Sequence, residues 1–251
     1  MKTPLWLEFY EYTVIVSVTL SWTFNLLLIT LILLKSPKKI GSYKYFMLYF
    51  SMFSMVYAMF DSIVQPSFLI HGSSIVVFMD LQNNRSPLKL NAVLCAISCA
   101  CYGVSIAIMA IHFIYRYHAL ANPEKLTMFQ GPRFLIWILI TILIGVNWGY
   151  SEYCFSDFEH NYAHYIKKVL LEFYDLKVEN VYYSMAWFYP IDENGQSSYS
   201  EKTWLIMLNF FVMTWASMFC VIFFGTKSYF LIQKMCKQLQ NNSKAAKSLQ
   251  K

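Results

Sequence analysis

The sequence predicts an all-α membrane protein, a helical bundle that starts outside the bilayer and ends in the cytoplasm. Three observations carry this. Charged residues make up only 14% of the chain against 57% hydrophobic, where a soluble domain carries roughly 25% charged residues. Five stretches have the length, about 20 residues, that crosses some 30 Å of hydrocarbon. Lysines and arginines gather in alternate connecting segments, as they do on the cytoplasmic side of membrane proteins. The net charge of +6 does not point to nucleic acid, because the basic residues form no aromatic-studded basic face.

The first span, residues 12–34, is uncharged throughout. Its apolar run is too long for the core of a signal peptide, and no small-residue cleavage site precedes it, so it is read as a retained anchor. The second span, 45–70, contains Asp61, Gln65 and Pro66, and the proline is expected to bend it. The third, 92–115, carries Cys95, Cys99 and Cys101 with Gly103 and Ser105, small residues that let helices approach closely in lipid. The fourth, 134–150, is short and free of charge. The fifth covers 203–225. All five are read as helices, since a helix satisfies its own backbone in lipid.

Charge sets the orientation. The segments after span one, between spans three and four, and after span five hold thirteen basic residues and one acid, Glu124. The opposite side holds seven basic residues and twelve acids. The N-terminus is therefore placed outside, and residues 226–251 form a cytoplasmic tail. The outer loop, 151–202, repeats Tyr162, Ile166, Val169, Leu170 and Phe173 at helical spacing, which predicts an amphipathic helix over the outer surface. "YPIDENGQSS" reads as an irregular stretch before span five.

Few residues suggest chemistry. His160 and His164 stand four apart and could share a zinc ion, but no further ligand is placed, and a solvated helix face is the simpler reading. No nucleophile, base and orienting group occur together, so no enzyme, cofactor or resident metal is expected. Asp61 lies roughly 24 Å along its span at about 1.5 Å per residue, in the outer half. It is either an acid bonded to a neighbouring helix or a polar group lining a ligand cavity, and both readings stay open. A transporter or channel using Asp61 is the alternative function, although no inverted repeat supports it. A Cys95–Cys154 disulfide is a candidate on the outer side, while Cys99 and Cys101 read as packing residues. Asn84 begins an outer glycosylation sequon followed by Pro87. The sequon at Asn241 falls on the cytoplasmic side.

"SPKKIGSYKYFMLYFSMFSMVYAMFDSIVQPSFLIHGSSIVVFMD" (36–80) and "AIHFIYRYHAL" (110–120) carry a specific resemblance. The pattern "PKK-x-G-x-YKY", "VQP" and "HFIYRY" resembles the nematode seven-transmembrane chemoreceptors of the Str family, serpentine receptor class r, with Srj the nearest alternative. The resemblance runs through span five. It implies a GPCR-like bundle in the plasma membrane, in the cilium of a chemosensory neuron. A small volatile or soluble odorant would bind between helices on the outer side, and a heterotrimeric G protein would bind inside. Pocket candidates are Asp61, Gln65, Ser98 and Tyr102. G-protein contact candidates are His112, Arg116 and Tyr117, with Tyr115 standing where such receptors usually carry an acid. The family has seven helices and this chain reaches five, so the resemblance implies a chain truncated after helix five.

Overall fold

The computed structural model describes residues 5–36, 41, 43–81, 86–156, 163–191 and 196–249. Six helices and three strands follow in the order α1 (Leu5–Lys35), α2 (Tyr43–Val64), β1 (Ser67–His71), β2 (Ser74–Asp80), α3 (Leu88–Ala121), α4 (Arg133–Tyr153), α5 (Ala163–Tyr174), β3 (Val181–Trp187) and α6 (Glu201–Leu249). Among the described residues, five helices are long and apolar enough to cross a membrane: all but α5. The chain divides into two units. One comprises Met1–Gly103 with Leu143–Phe210, and the other Val104–Ile142 with Phe211–Lys251.

In the first unit, α1 shows how a polar side chain is kept in a lipid-facing helix. Thr13, Thr19, Thr23 and Thr30 each donate to the carbonyl one turn earlier, at 2.7–2.8 Å. Hydrocarbon offers no partner, so the hydroxyl must be satisfied locally. Leu20, Leu27, Leu31 and Leu34 are exposed, and a bilayer would solvate them.

The second span ends earlier than the sequence suggested, at Val64 rather than residue 70. Pro66 stops the helix instead of bending it, because it lacks the N–H that would continue the ladder. Gln65 takes a φ of 44° and its N–H donates to the Asp61 carbonyl at 2.9 Å, a left-handed helix end. The chain then forms a hairpin. Its two-residue turn has positive φ at Gly72 (54°) but not at Ser73, the II′ pattern that favours glycine at the first position.

This hairpin belongs to an antiparallel three-stranded sheet, β1-β2-β3, the one element the all-helical expectation did not anticipate. Its side chains alternate with the pleat. Val76 and Phe78 of β2, with Val181, Tyr183, Met185 and Trp187 of β3, pack against Ile166 and Leu170 of α5. Met79 and Tyr182 face the other way, onto Val64, Ala92 and Cys95. All seven residues of β3 are buried, since both faces are covered and a bridge from Ser156 to Ser184 occupies its outer edge. The amphipathic helix therefore sits on the sheet. Its Phe173 is 68% exposed, against the apolar face the spacing suggested, and Tyr162 lies outside the described residues.

Tyr165 fastens α5 to the hairpin. Its hydroxyl donates to the His71 carbonyl at 3.2 Å and its ring lies 4.3 Å from that of Trp187. Tyr165→Phe should keep the ring contact and lose the bond, lowering stability by about 1 kcal/mol. A Tm shift of the protein in nanodiscs would measure it.

Other small residues of α3, Ala96 and Ala100, meet α4 closely. A Cβ added to Gly149 of α4 would lie 2.8 Å from the Ala96 carbonyl oxygen and 3.1 Å from Ala100 Cβ of α3. The two backbones touch there, as small residues allow. Gly149→Ala should force the helices apart and cost about 1–2 kcal/mol, again read as a Tm shift.

In the second unit α3 continues to Ala121, past the residue 115 expected from the sequence, so His112 lies more than two turns from the helix end. A short 3₁₀ helix, Pro123–Phe129, follows. Phe129 is 2% exposed, set edge-on to Tyr115 at 5.0 Å and stacked on Trp137 at 4.7 Å. Trp137 Nε1 donates to the Met128 carbonyl at 3.0 Å. Ile232, Met235 and Leu239, whose helical spacing in the sequence extends span five inward, belong to α6, which runs unbroken to Leu249.

Candidate functional site

The first unit forms a partly open cavity of about 540 Å³, within the roughly 300–1,000 Å³ of small-molecule sites. Four helices and the sheet build it. From α2 come Tyr57 and Asp61, and from α3 Cys95, Ser98, Cys99 and Tyr102. Trp148 and Glu152 belong to α4, Met207 and Phe210 to α6. Pro66, Phe68 of β1 and Ile75 and Val77 of β2 complete the wall. The strand pleat explains the last three, because they lie on the face opposite Val76 and Phe78.

Most of this wall is apolar or aromatic. Trp148 sits 4.5 Å from the Phe210 ring and 5.3 Å, edge-on, from Tyr102. Asn209 of α6 donates to Asn147 Oδ1 at 2.8 Å and Ser151 Oγ at 3.1 Å, holding α6 to α4 through polar groups satisfied within the protein.

Glu152 is 7% exposed. Ser184 Oγ of β3 donates to its Oε1, and Cys95 Sγ donates to the same oxygen at 3.7 Å. Nearby, the Tyr182 and Ser156 hydroxyls meet at 2.8 Å. Burial raises the Tyr182 phenol well above its usual value, so it stays neutral.

A second groove of about 450 Å³ lies between α1 and α2. Tyr10, Thr13, Ser17, Ser21 and Ser54 supply hydroxyls to it, and Tyr57 and Asp61 line both spaces. Asp61 is thus part of the partition between them.

Of the pocket candidates from the sequence, Asp61, Ser98 and Tyr102 line the larger cavity together. Gln65 does not. The left-handed turn at the end of α2 directs its amide back to the Ser62 carbonyl at 3.1 Å. The Cys95–Cys154 bridge is not formed; both are free thiols. Cys95 is committed to Glu152, and Cys154 follows the end of α4 with its carbonyl accepting from Lys202 Nζ at 2.6 Å. Cys99, read as packing, is a wall residue.

Glu152, Trp148 and Tyr57 were not singled out from the sequence. Glu152 follows the apolar run closely in "WGYSEY", where it read as a loop acid because the span was ended at Tyr150. His164 is exposed on α5, while His160 and Asn84 lie outside the described residues.

In the second unit His112, Arg116 and Tyr117 all belong to α3. Arg116 is exposed and His112 partly buried one turn earlier. Tyr117 lies 5.4 Å from the Phe224 ring of α6. Lys227 Nζ stands 4.2 Å over the Phe223 ring and 5.9 Å from that of Tyr117. An added Cβ at Gly225 would meet Phe113 at 3.1 Å, so α3 and α6 pass close together here.

The family model "Serpentine type 7TM GPCR chemoreceptor Str" matches residues 10–251. Serpentine receptor class r-10 of Caenorhabditis elegans is 30% identical over 226 residues, covering 89% of this chain and 65% of its own. Its Caenorhabditis briggsae namesake is 30% identical over 217 residues, 85% of this chain and 63% of its own. G-protein coupled receptor str-217 of Caenorhabditis elegans is 26% identical over 239 residues, 94% of this chain and 67% of its own. The chain thus spans about two thirds of the length of these relatives. No solved structure matches it. The matched family is one of receptors rather than enzymes, and the five long apolar helices are those of a multi-pass membrane protein. With a match from Tyr10 to the last residue, the chain belongs to the serpentine-type seven-transmembrane chemoreceptor family Str.

Proposed function

We propose that the chain serves as a chemosensory receptor in the plasma membrane of a sensory neuron, in its cilium. A small odorant occupies the 540 Å³ cavity, and a heterotrimeric G protein is engaged through α3 at His112, Arg116 and Tyr117. The observation that carries this reading is the cavity itself. Apolar and aromatic walls surround a few polar groups, the usual composition of a site for a small organic molecule. Binding there would shift the balance between helix packings. The N-terminus lies outside and the C-terminus in the cytoplasm, in keeping with the distribution of lysine and arginine.

Calcium imaging of cells expressing the chain with a promiscuous G protein, screened against an odorant panel, tests this. The expected result is an odorant response that Arg116→Ala abolishes while leaving surface expression intact. A response unchanged by that substitution removes α3 from the signalling role. Epitope tags give the topology: an N-terminal tag should be stained on intact cells, and a C-terminal tag only after permeabilisation.

A further inference from the structure

If the cavity is the odorant site, as proposed above, its walls specify the odorant's chemistry. Among the described residues they include two carboxyl groups, Asp61 and Glu152, and no lysine, arginine or histidine. Glu152 is 7% exposed, and both of its donors, Ser184 Oγ and Cys95 Sγ, reach Oε1. Among the described residues none reaches Oε2, and the Asp61 carboxylate accepts no side-chain hydrogen bond. A carboxylate withdrawn from water is costly unless a cation or strong donor meets it. The described residues supply no cation at this wall, so an ammonium group on a ligand would be the positive partner available to these carboxyl groups. Tyr57, Tyr102, Trp148 and Phe210 add aromatic surfaces of the kind that attract an ammonium group.

We propose that the cavity takes a small, predominantly apolar primary amine. Its ammonium group is met by Glu152 and Asp61, and its hydrocarbon body by Ile75, Val77, Met207 and the aromatic rings. Ligand acids are disfavoured by the two carboxylates, and neutral isosteres leave them without a cation.

The test uses the whole chain in nanodiscs and isothermal titration with three matched probes: cyclohexylmethylamine, cyclohexylmethanol and cyclohexanecarboxylic acid. The amine is expected to bind at least about tenfold more tightly than the alcohol, a difference that one good polar contact supplies, and the acid not measurably. Glu152→Gln and Asp61→Asn, both nearly isosteric, should each shrink that preference, and the double variant should remove it. The wild-type comparison of amine with alcohol stands even if a variant fails to fold. Equal binding of amine and alcohol, or tightest binding of the acid, overturns the amine assignment and leaves the cavity as a ligand site. Binding of none of the three overturns both.

Discussion

Phe78→Ala is expected to lower the unfolding free energy by about 3–5 kcal/mol, the usual cost of removing a buried aromatic ring. Phe78 is 1% exposed and its ring meets that of Tyr174 edge-on at 5.0 Å. It sits on β2, the middle strand, which pairs with both β1 and β3. A void there loosens the packing of α5 on the sheet and slackens both ladders. The effect should reach the cavity, because Ile75 and Val77 of the same strand line it from the opposite face. Thermal unfolding in nanodiscs, with amine binding measured on the same sample, checks both parts. Phe68→Ala is the control. Phe68 also faces the cavity but is 69% exposed, so its loss should affect binding more than stability. Equal melting of Phe78→Ala and wild type would mean that the sheet contributes little to the fold.

Ser184→Val is expected to destabilise the protein by about 2–3 kcal/mol, because it takes a donor away from a buried carboxyl group. The hydroxyl of Ser184 and the carboxyl of Glu152 join β3 to α4. The Cys95 thiol at 3.7 Å is a weak donor and does not replace it. Combining Ser184→Val with Glu152→Leu should restore much of the loss, since neither partner is then left stranded. The coupling between the two sites, from a double-mutant cycle of unfolding free energies, is expected to exceed about 1 kcal/mol. Strictly additive effects would show that the carboxyl group does not depend on Ser184.

The helices were largely legible because lipid imposes a simple rule: about 20 apolar residues, with the backbone bonded internally. Span one fits that rule closely, beginning to qualify at Tyr12 and ending at Lys35. Span two was misread at its far end because "PSFLIHGSSIVVFMD" is as apolar as a helix. Hydropathy alone does not separate a buried strand from a span. The proline and the Gly72 turn were the available signals. β3 was harder still, since both of its faces are buried and it shows no polar alternation.

Asp61, Ser98 and Tyr102 line the larger cavity together, and the sequence grouped them because each stands in the half of its span nearest the acidic connecting segments. Gln65 was misplaced because an extrapolated helix put it on Asp61's face, whereas the chain leaves the helix there. Glu152 was hidden by a boundary: three residues of helix decided whether it was a loop acid or a cavity wall. Cys95 was assigned to a bridge with Cys154 when its actual partner is that same glutamate.

The sheet also orders events in time. β1 and β2 are neighbours in the chain and can pair as soon as both have emerged, as hairpins do. β3 lies beyond α3, α4 and α5, so its pairing with β2 must wait until those segments have been synthesised and two further spans inserted. Long-range pairing of this kind is slow and comes late. Closure of the sheet is therefore a late step of assembly, and it completes the cavity wall and supplies the Ser184 hydroxyl to Glu152 in the same movement. Until then the Glu152 carboxyl of α4 lacks its main donor, the Ser184 hydroxyl.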